Sequence, residues 1–177
     1  MPACGQPTGH YSADLFNYLL KTHMTQTNVS MFDIIAYVES KNNPHAMRFE
    51  PGVYDHLSAG GAMNVVALNN IVKLNRCSQA TARTIYSTSW GATQIMGFNL
   101  YDGLYAGDVV SFCADPIAQA AAFDGFCRKA NLIASVTDMA STPMLRFHFA
   151  KIYNGDPNAY APLIVDALKH FGLQVTE

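Results

Sequence analysis

The stretch Met31-Phe-Asp-Ile-Ile-Ala-Tyr-Val-Glu39 constrains the fold of this chain more than any other. It is mostly apolar, and a breaker run, Ser40-Lys-Asn-Asn-Pro44, stops it at once. Ser30 before it and Asp33 three residues on read as a capping-box-like start, and Ile34, Ile35 and Val38 form an apolar stripe. A short helix with so little polar surface must be enclosed by other elements. The same layout places a carboxylate, Glu39, on the last turn of a mostly buried helix. The C-terminal end of a helix is partially negative, so an ionised Glu there is disfavoured, and burial disfavours it further. Both effects raise the pKa, and an acid still protonated near neutral pH is what general acid catalysis requires.

The rest of the chain is punctuated for helices. Residues 11–24 set Leu15, Phe16, Leu19 and Leu20 at helical spacing. Residues 45–61 contain Pro51, Gly52, Gly60 and Gly61 and read as irregular, with a short helix near Tyr54 to Leu57. The spacing predicts helices from Ala62 to Leu74 and from Ser78, as N-cap, to Tyr86. Ser87 to Gly97 reads as a polar approach to a short apolar turn. Asp115-Pro116 starts a helix to about Lys129, with Ile117, Ala121, Phe123 and Phe126 inward. Thr142-Pro143 starts another to about Ile152, and Pro157 starts the last, stopped by Gly172. A small hairpin within 45–62 is the one strand signal. The class is mainly α, or α+β with minimal β, and 177 residues suit a single domain with a sizeable core.

Composition narrows the function. Half the residues are apolar or aromatic and 14% are charged, which excludes a disordered chain. A net charge of -2 without a basic stripe excludes nucleic acid as the partner and favours an uncharged polymer or small molecule. No apolar run approaches the ~20 residues of a membrane span, so no membrane insertion is expected. The N-terminus reads as lacking a Sec signal peptide, which implies synthesis in a cytoplasm and export by a separate route. Cys4, Cys77, Cys113 and Cys127 have no CxxC spacing, and Cys113 and Cys127 read as reduced core cysteines. The six histidines, His10, His23, His45, His56, His148 and His170, lack metal-ligand spacing and read as surface or half-buried. No metal and no cofactor is implied.

Three stretches gain meaning together: Glu39-Ser-Lys-Asn-Asn-Pro-His-Ala46, Trp90-Gly-Ala-Thr-Gln-Ile-Met-Gly-Phe-Asn99 and Tyr153-Asn-Gly-Asp-Pro157. In this order they resemble the lysozyme-like superfamily, which includes soluble lytic transglycosylases and goose-type lysozymes. Within it they resemble the N-acetylmuramidase family found in phage endolysins, with Phe49-Glu50, the Gln94-to-Asn99 run and Tyr153-Asn-Gly155 as matching pieces. Ala92-Thr93 and Gly97 depart from the transglycosylase pattern toward the muramidase one.

The resemblance implies a lysozyme-like fold and cleavage of the β-1,4 bond between N-acetylmuramic acid and N-acetylglucosamine in peptidoglycan glycan strands. Glu39 would protonate the glycosidic oxygen. Gln94 and Met96 would line the sugar cleft, and Tyr153 and Asn154 would stand close to the acid, the tyrosine hydroxyl orienting it. Ser89 and Trp90 would flank the cleft. Trp90, the only tryptophan, either stacks on a sugar or belongs to the core. Glu50 is the candidate second carboxylate, or else a structural partner of Arg48; Asp55 and Asp102 are weaker candidates. A partner carboxylate implies hydrolysis, and none implies a lytic transglycosylase that forms 1,6-anhydro ends. A non-catalytic wall-binding virion protein and a chitinase-like hydrolase are further alternatives. The expected organisation is one catalytic domain over 1–177, with 1–28 an extension or a helix packed on it. The enzyme is expected to be a monomer that waits in the host cytoplasm and acts on a thin wall in the periplasm.

Overall fold

The computed structural model describes residues 29–176. The helix expected over 11–24, with Cys4, His10 and His23, lies outside the described residues. Helix α1 (Met31–Ser40) starts on a complete capping box: the Ser30 hydroxyl accepts from the Asp33 N–H, and the Asp33 carboxylate accepts from the Ser30 N–H. Its end is a sharp reversal made by two left-handed residues that are not glycine, Lys41 at φ 56° and Asn42 at φ 64°. Ile34, Ile35 and Ala36 are buried, as a helix with so few polar residues requires.

The chain continues through β1 (Met47–Phe49), α2 (Pro51–Ser58), α3 (Val65–Asn75), α4 (Gln79–Tyr86), β2 (Thr88–Trp90) and β3 (Ile95–Met96). A helical turn, Gly97–Asn99, and a π-helical turn, Leu100–Leu104, lead to α5 (Val109–Ala114) and α6 (Pro116–Lys129). Helices α7 (Val136–Ser141), α8 (Pro143–Tyr153) and α9 (Pro157–His170) complete it. Ser78, Asp115 and Asp156 cap their helices through side-chain oxygens, and Pro116, Pro143 and Pro157 occupy first-turn positions. Helix α1 packs on α9 and α6, α8 packs on α9, and α3 packs on α4 and the π turn. Among the described residues no helix is long and apolar enough to cross a membrane. Cys77, Cys113 and Cys127 are free thiols, and Cys127 is buried.

The mainly α class with a lysozyme-like arrangement stands, and several local expectations are corrected. No hairpin forms within 45–62: β1 pairs antiparallel with β2, Met47 opposite Trp90 and Phe49 opposite Thr88. β2 pairs in turn with β3, so 87–97 is a strand hairpin rather than a turn, and the sheet order is β1-β2-β3. Strands of two and three residues are too short to show alternation in a sequence. Helix α2 starts earlier than expected, with Pro51 in its first turn. Helix α3 starts later, at Val65, because Asn64 accepts from the Ala67 N–H as N-cap. On α6, Phe123 is buried as expected, but Ile117 is 49% exposed, and Ala118, Gln119 and Ala122 complete the buried stripe. The polar Gln119 in that stripe conceals it.

Candidate active site

Glu39 sits half-buried on the last turn of α1, a turn with no basic residue. The nearby ammonium of Lys41 lies over the Tyr37 ring, 3.9 Å from its centroid. The Tyr160 hydroxyl, on α9, donates to Glu39 Oε1 at 2.6 Å. Burial raises the Glu39 pKa above the ordinary carboxylate value. The Tyr160 bond and the Arg48 charge oppose that rise, and the Glu50 charge adds to it. Burial pushes the Tyr160 phenol far up as well, so it stays a donor throughout the range in which a carboxyl titrates.

The four-residue turn joining β2 to β3 is tied to this helix end from several sides. Gly91 N–H donates to the Ala46 carbonyl at 2.9 Å. Ala92 N–H donates to Gln119 Oε1 at 2.8 Å, and the Ala92 carbonyl accepts from Ser40 Oγ at 2.8 Å. The Thr93 carbonyl accepts from the Tyr153 hydroxyl at 2.6 Å. Ser40 Oγ also accepts from the Asn43 N–H at 3.0 Å, which braces the reversal after Glu39. Gln119 Nε2 donates to the carbonyls of Pro44, Phe112 and Cys113 at 3.0 to 3.1 Å, so one buried amide joins the breaker run, the turn and α5. Gly91 is required twice: its φ is +76°, and a Cβ there would stand 2.7 Å from Gln119 Oε1. Gly97 is required by close approach, since a Cβ would lie 2.0 Å from the Ile85 carbonyl oxygen.

The sheet register sorts the expected site residues. Arg48, Ser89 and Met96 form one cross-strand row, while Met47, Trp90 and Ile95 form the next, on the opposite face. Ser89 Oγ donates to Met96 Sδ at 3.0 Å within the first row. Ile95 is core at 3% exposure, and half-buried Trp90 shares its side, the indole N–H donating to the Ile85 carbonyl at 3.0 Å. Trp90 is therefore turned away from the row that contains Arg48. Gln94, at φ 53°, folds its amide back onto the Gly91 carbonyl at 2.9 Å. Glu50 caps the start of α2 in position and pairs with Arg48 at 2.6 Å. Asn154, exposed at the end of α8, accepts from the Asp156 N–H at 3.4 Å.

One expected contact is corrected. The hydroxyl on Glu39 is that of Tyr160, and Tyr153 turns its own to Thr93. Tyr153 lies behind, its ring stacked on Tyr160 at 6.1 Å and packed against Phe123, Phe126 and Phe149. Asp102 pairs with Lys129 of α6, and Asp55 is exposed on α2. Neither is among the charges acting on Glu39. Sequence reasoning missed Tyr160 and Gln119. Each is the polar-tipped member of a buried helical stripe, Tyr160 with Ile164, Ala167 and Leu168, and Gln119 with Ala118, Ala122 and Phe123. A buried hydroxyl or amide requires a partner, and that requirement is the available signal.

Comparison with known proteins follows the same lines. A family model described as N-acetylmuramidase matches residues 4–167. A curated relative named Endolysin, from Enterobacteria phage PRD1, is 40% identical over 147 residues, covering 82% of this chain and 98% of the relative. No solved structure matches the chain.

Proposed function

The chain belongs to the N-acetylmuramidase family, and from that premise we propose that Glu39 is the general acid of a wall-cleaving hydrolase. The enzyme is a lysozyme-type glycoside hydrolase, a peptidoglycan-degrading endolysin. Cleavage of its β-1,4 bond requires a proton on the leaving oxygen, because an alkoxide leaves poorly. The observation that supports Glu39 most directly is its environment: a half-buried carboxyl with raised pKa, gripped at one oxygen by a phenol that does not ionise in the working range. A carboxylic acid accepts that bond at Oε1 and keeps its proton on Oε2, free to be delivered to the sugar.

Glu50 is the second carboxylate in this reading. Its charge acts on Glu39, and Arg48 holds it at the edge of the sheet. From there it activates the attacking water, which makes the reaction hydrolysis. The enzyme works without a cofactor, as a monomer, on glycan strands in the periplasm.

The test is digestion of purified peptidoglycan followed by mass spectrometry of the muropeptides. Wild type should release reducing N-acetylmuramic acid ends, and Glu39→Gln should lose at least ~100-fold in rate, the usual scale of general acid catalysis. Anhydro ends would replace hydrolysis by transglycosylation. A Glu39→Gln variant that clears walls as fast as wild type would remove Glu39 from the mechanism.

A further inference from the structure

We infer that Arg48 is a specificity residue, whose guanidinium binds the carboxylate that hangs from the muramic acid unit of the substrate. This rests on the family's reaction, cleavage beside N-acetylmuramic acid, and not on Glu39 being the acid.

Arg48 lies on the edge strand β1, at the end of the row it forms with Ser89 and Met96. Ser89 and Met96 are uncharged and bonded to each other, so Arg48 is the row's single charge. Its side chain is 62% exposed. Glu50, two residues on, takes only Nε, at 2.6 Å. Among the described residues Nη1 and Nη2 have no hydrogen-bond partner. A guanidinium held in this way keeps its end face open, and the two N–H groups there match the two oxygens of a carboxylate.

Stability does not account for the arginine, because an ion pair between neighbours on an exposed strand adds little. Nor is the pair neutral toward the site. At Glu39 the Arg48 charge outweighs that of Glu50, and Arg48 is the cation that acts on the Tyr160 hydroxyl. The positive end of the pair therefore faces the acid. Lys41, the other cation nearby, has its ammonium over the Tyr37 ring.

The substrate supplies the matching anion. Cleavage that leaves a reducing muramic acid end sets C1 of that sugar at the proton donor. The lactyl ether is on C3 of the same ring, so its substituent stays within one sugar of Glu39. In peptide-free glycan that substituent ends in a carboxylate. In intact wall it is amide-linked to a peptide, whose own carboxylates bring the charge. Both are carboxylates tethered to C3, and N-acetylglucosamine has neither. A complementary charge at this place selects the sugar that occupies the site.

Binding to the Glu39→Gln protein tests this with two probes. One is a peptide-free glycan oligosaccharide, and the other is the same oligosaccharide with its lactyl carboxyls converted to methylamides. The carboxylate form should bind roughly tenfold tighter, the scale of one hydrogen bond to a charged group. Arg48→Gln in that background should abolish the preference by weakening the carboxylate form alone, and Arg48→Lys should keep part of it. A second pair, peptide-bearing glycan with free or methylamidated stem carboxyls, separates the sources. Preference within the first pair assigns the lactyl group, preference within the second assigns the stem, and preference in neither overturns the proposal. Preference that survives Arg48→Gln overturns it too. In the active enzyme, Arg48→Gln should bring kcat/KM for the two forms together. Equal slowing of both, with their ratio kept, would reduce Arg48 to a support for Glu50 and sink the idea. If the variant fails to fold, NMR of the Arg48 Nη signals decides: they should shift with the carboxylate probe and not with the methylamide, and no shift counts against binding. A probe recovered cut from the Glu39→Gln protein would count against Glu39 as the acid, and the same comparison would then be made on cleavage rates.

Discussion

At the scale of single residues, Tyr160 and Glu50 act on the Glu39 proton in opposite senses. The phenol donates to Oε1 and so favours the carboxylate, while the Glu50 charge favours the acid. Burial exceeds both and sets the net direction upward. Removing the hydroxyl with Tyr160→Phe should therefore raise the Glu39 pKa further, and Glu50→Gln should lower it. Carbon-detected NMR titration of the Glu39 carboxyl checks both without relying on activity. Shifts in the same direction for the two variants would mean that one of the contacts is misassigned. An acid-dependent step slows as pH rises through the pKa of its acid, so the alkaline limb of wild-type wall clearing should follow the same titration. Tyr160→Phe should also reduce the maximal rate roughly tenfold, because the carboxyl is freed to rotate away from the attack geometry.

At the scale of elements, Gln119 is what joins α6 to the β2–β3 turn and the breaker run. Its partners lie 27 residues away at Ala92 and 75 away at Pro44. Gln119→Ala removes the partner of the Ala92 N–H and the side-chain donor to the Pro44 and Cys113 carbonyls, while the Phe112 carbonyl keeps the Asp115 N–H; with partial relaxation the cost should be roughly 2–4 kcal/mol. Thermal unfolding should shift down by roughly 5–15 °C. Gln119→Glu keeps the acceptor for Ala92 but sets an oxygen against the Pro44, Phe112 and Cys113 carbonyls. It should destabilise at least as much, and a Glu variant as stable as wild type would deny the amide its role. This device also shows what sequence can and cannot reveal. Helix starts were legible because caps are local: Ser30 with Asp33, Ser78, Asp115-Pro116 and Pro157 each act within four residues. Glu39 was legible because its position relative to the breaker run sets its electrostatics. Helices α5 and α7, six residues each, lack the length for a period, and the pairing of β1 with β2 joins segments about forty residues apart. Tyr160 was missed for the same reason, since its hydroxyl meets a residue 121 positions away.

At the scale of the whole molecule, one core runs through every helix from α1 to α9 among the described residues. Glu39 hangs from it by α1, which packs on α9 and α6 and so cannot shift alone. A core shared in this way predicts that the sheet and the helices unfold together. Trp90 makes that measurable, because it is the chain's single tryptophan and sits in β2, half-buried over α4. Its emission reports the sheet, while circular dichroism at helical wavelengths reports the helices together. In a urea titration the two signals should fall on one curve with one midpoint. If the tryptophan transition came first, the sheet with Arg48 and Glu50 would be a separate, weaker unit. The Gly91 turn makes that outcome unexpected: Ala46, Ser40, Gln119 and Tyr153 bind it to the residue before β1, to α1, to α6 and to α8 at once. Opening the sheet therefore requires breaking contacts to three helices, and the alignment of Glu39 with its neighbours should persist until the core itself gives way.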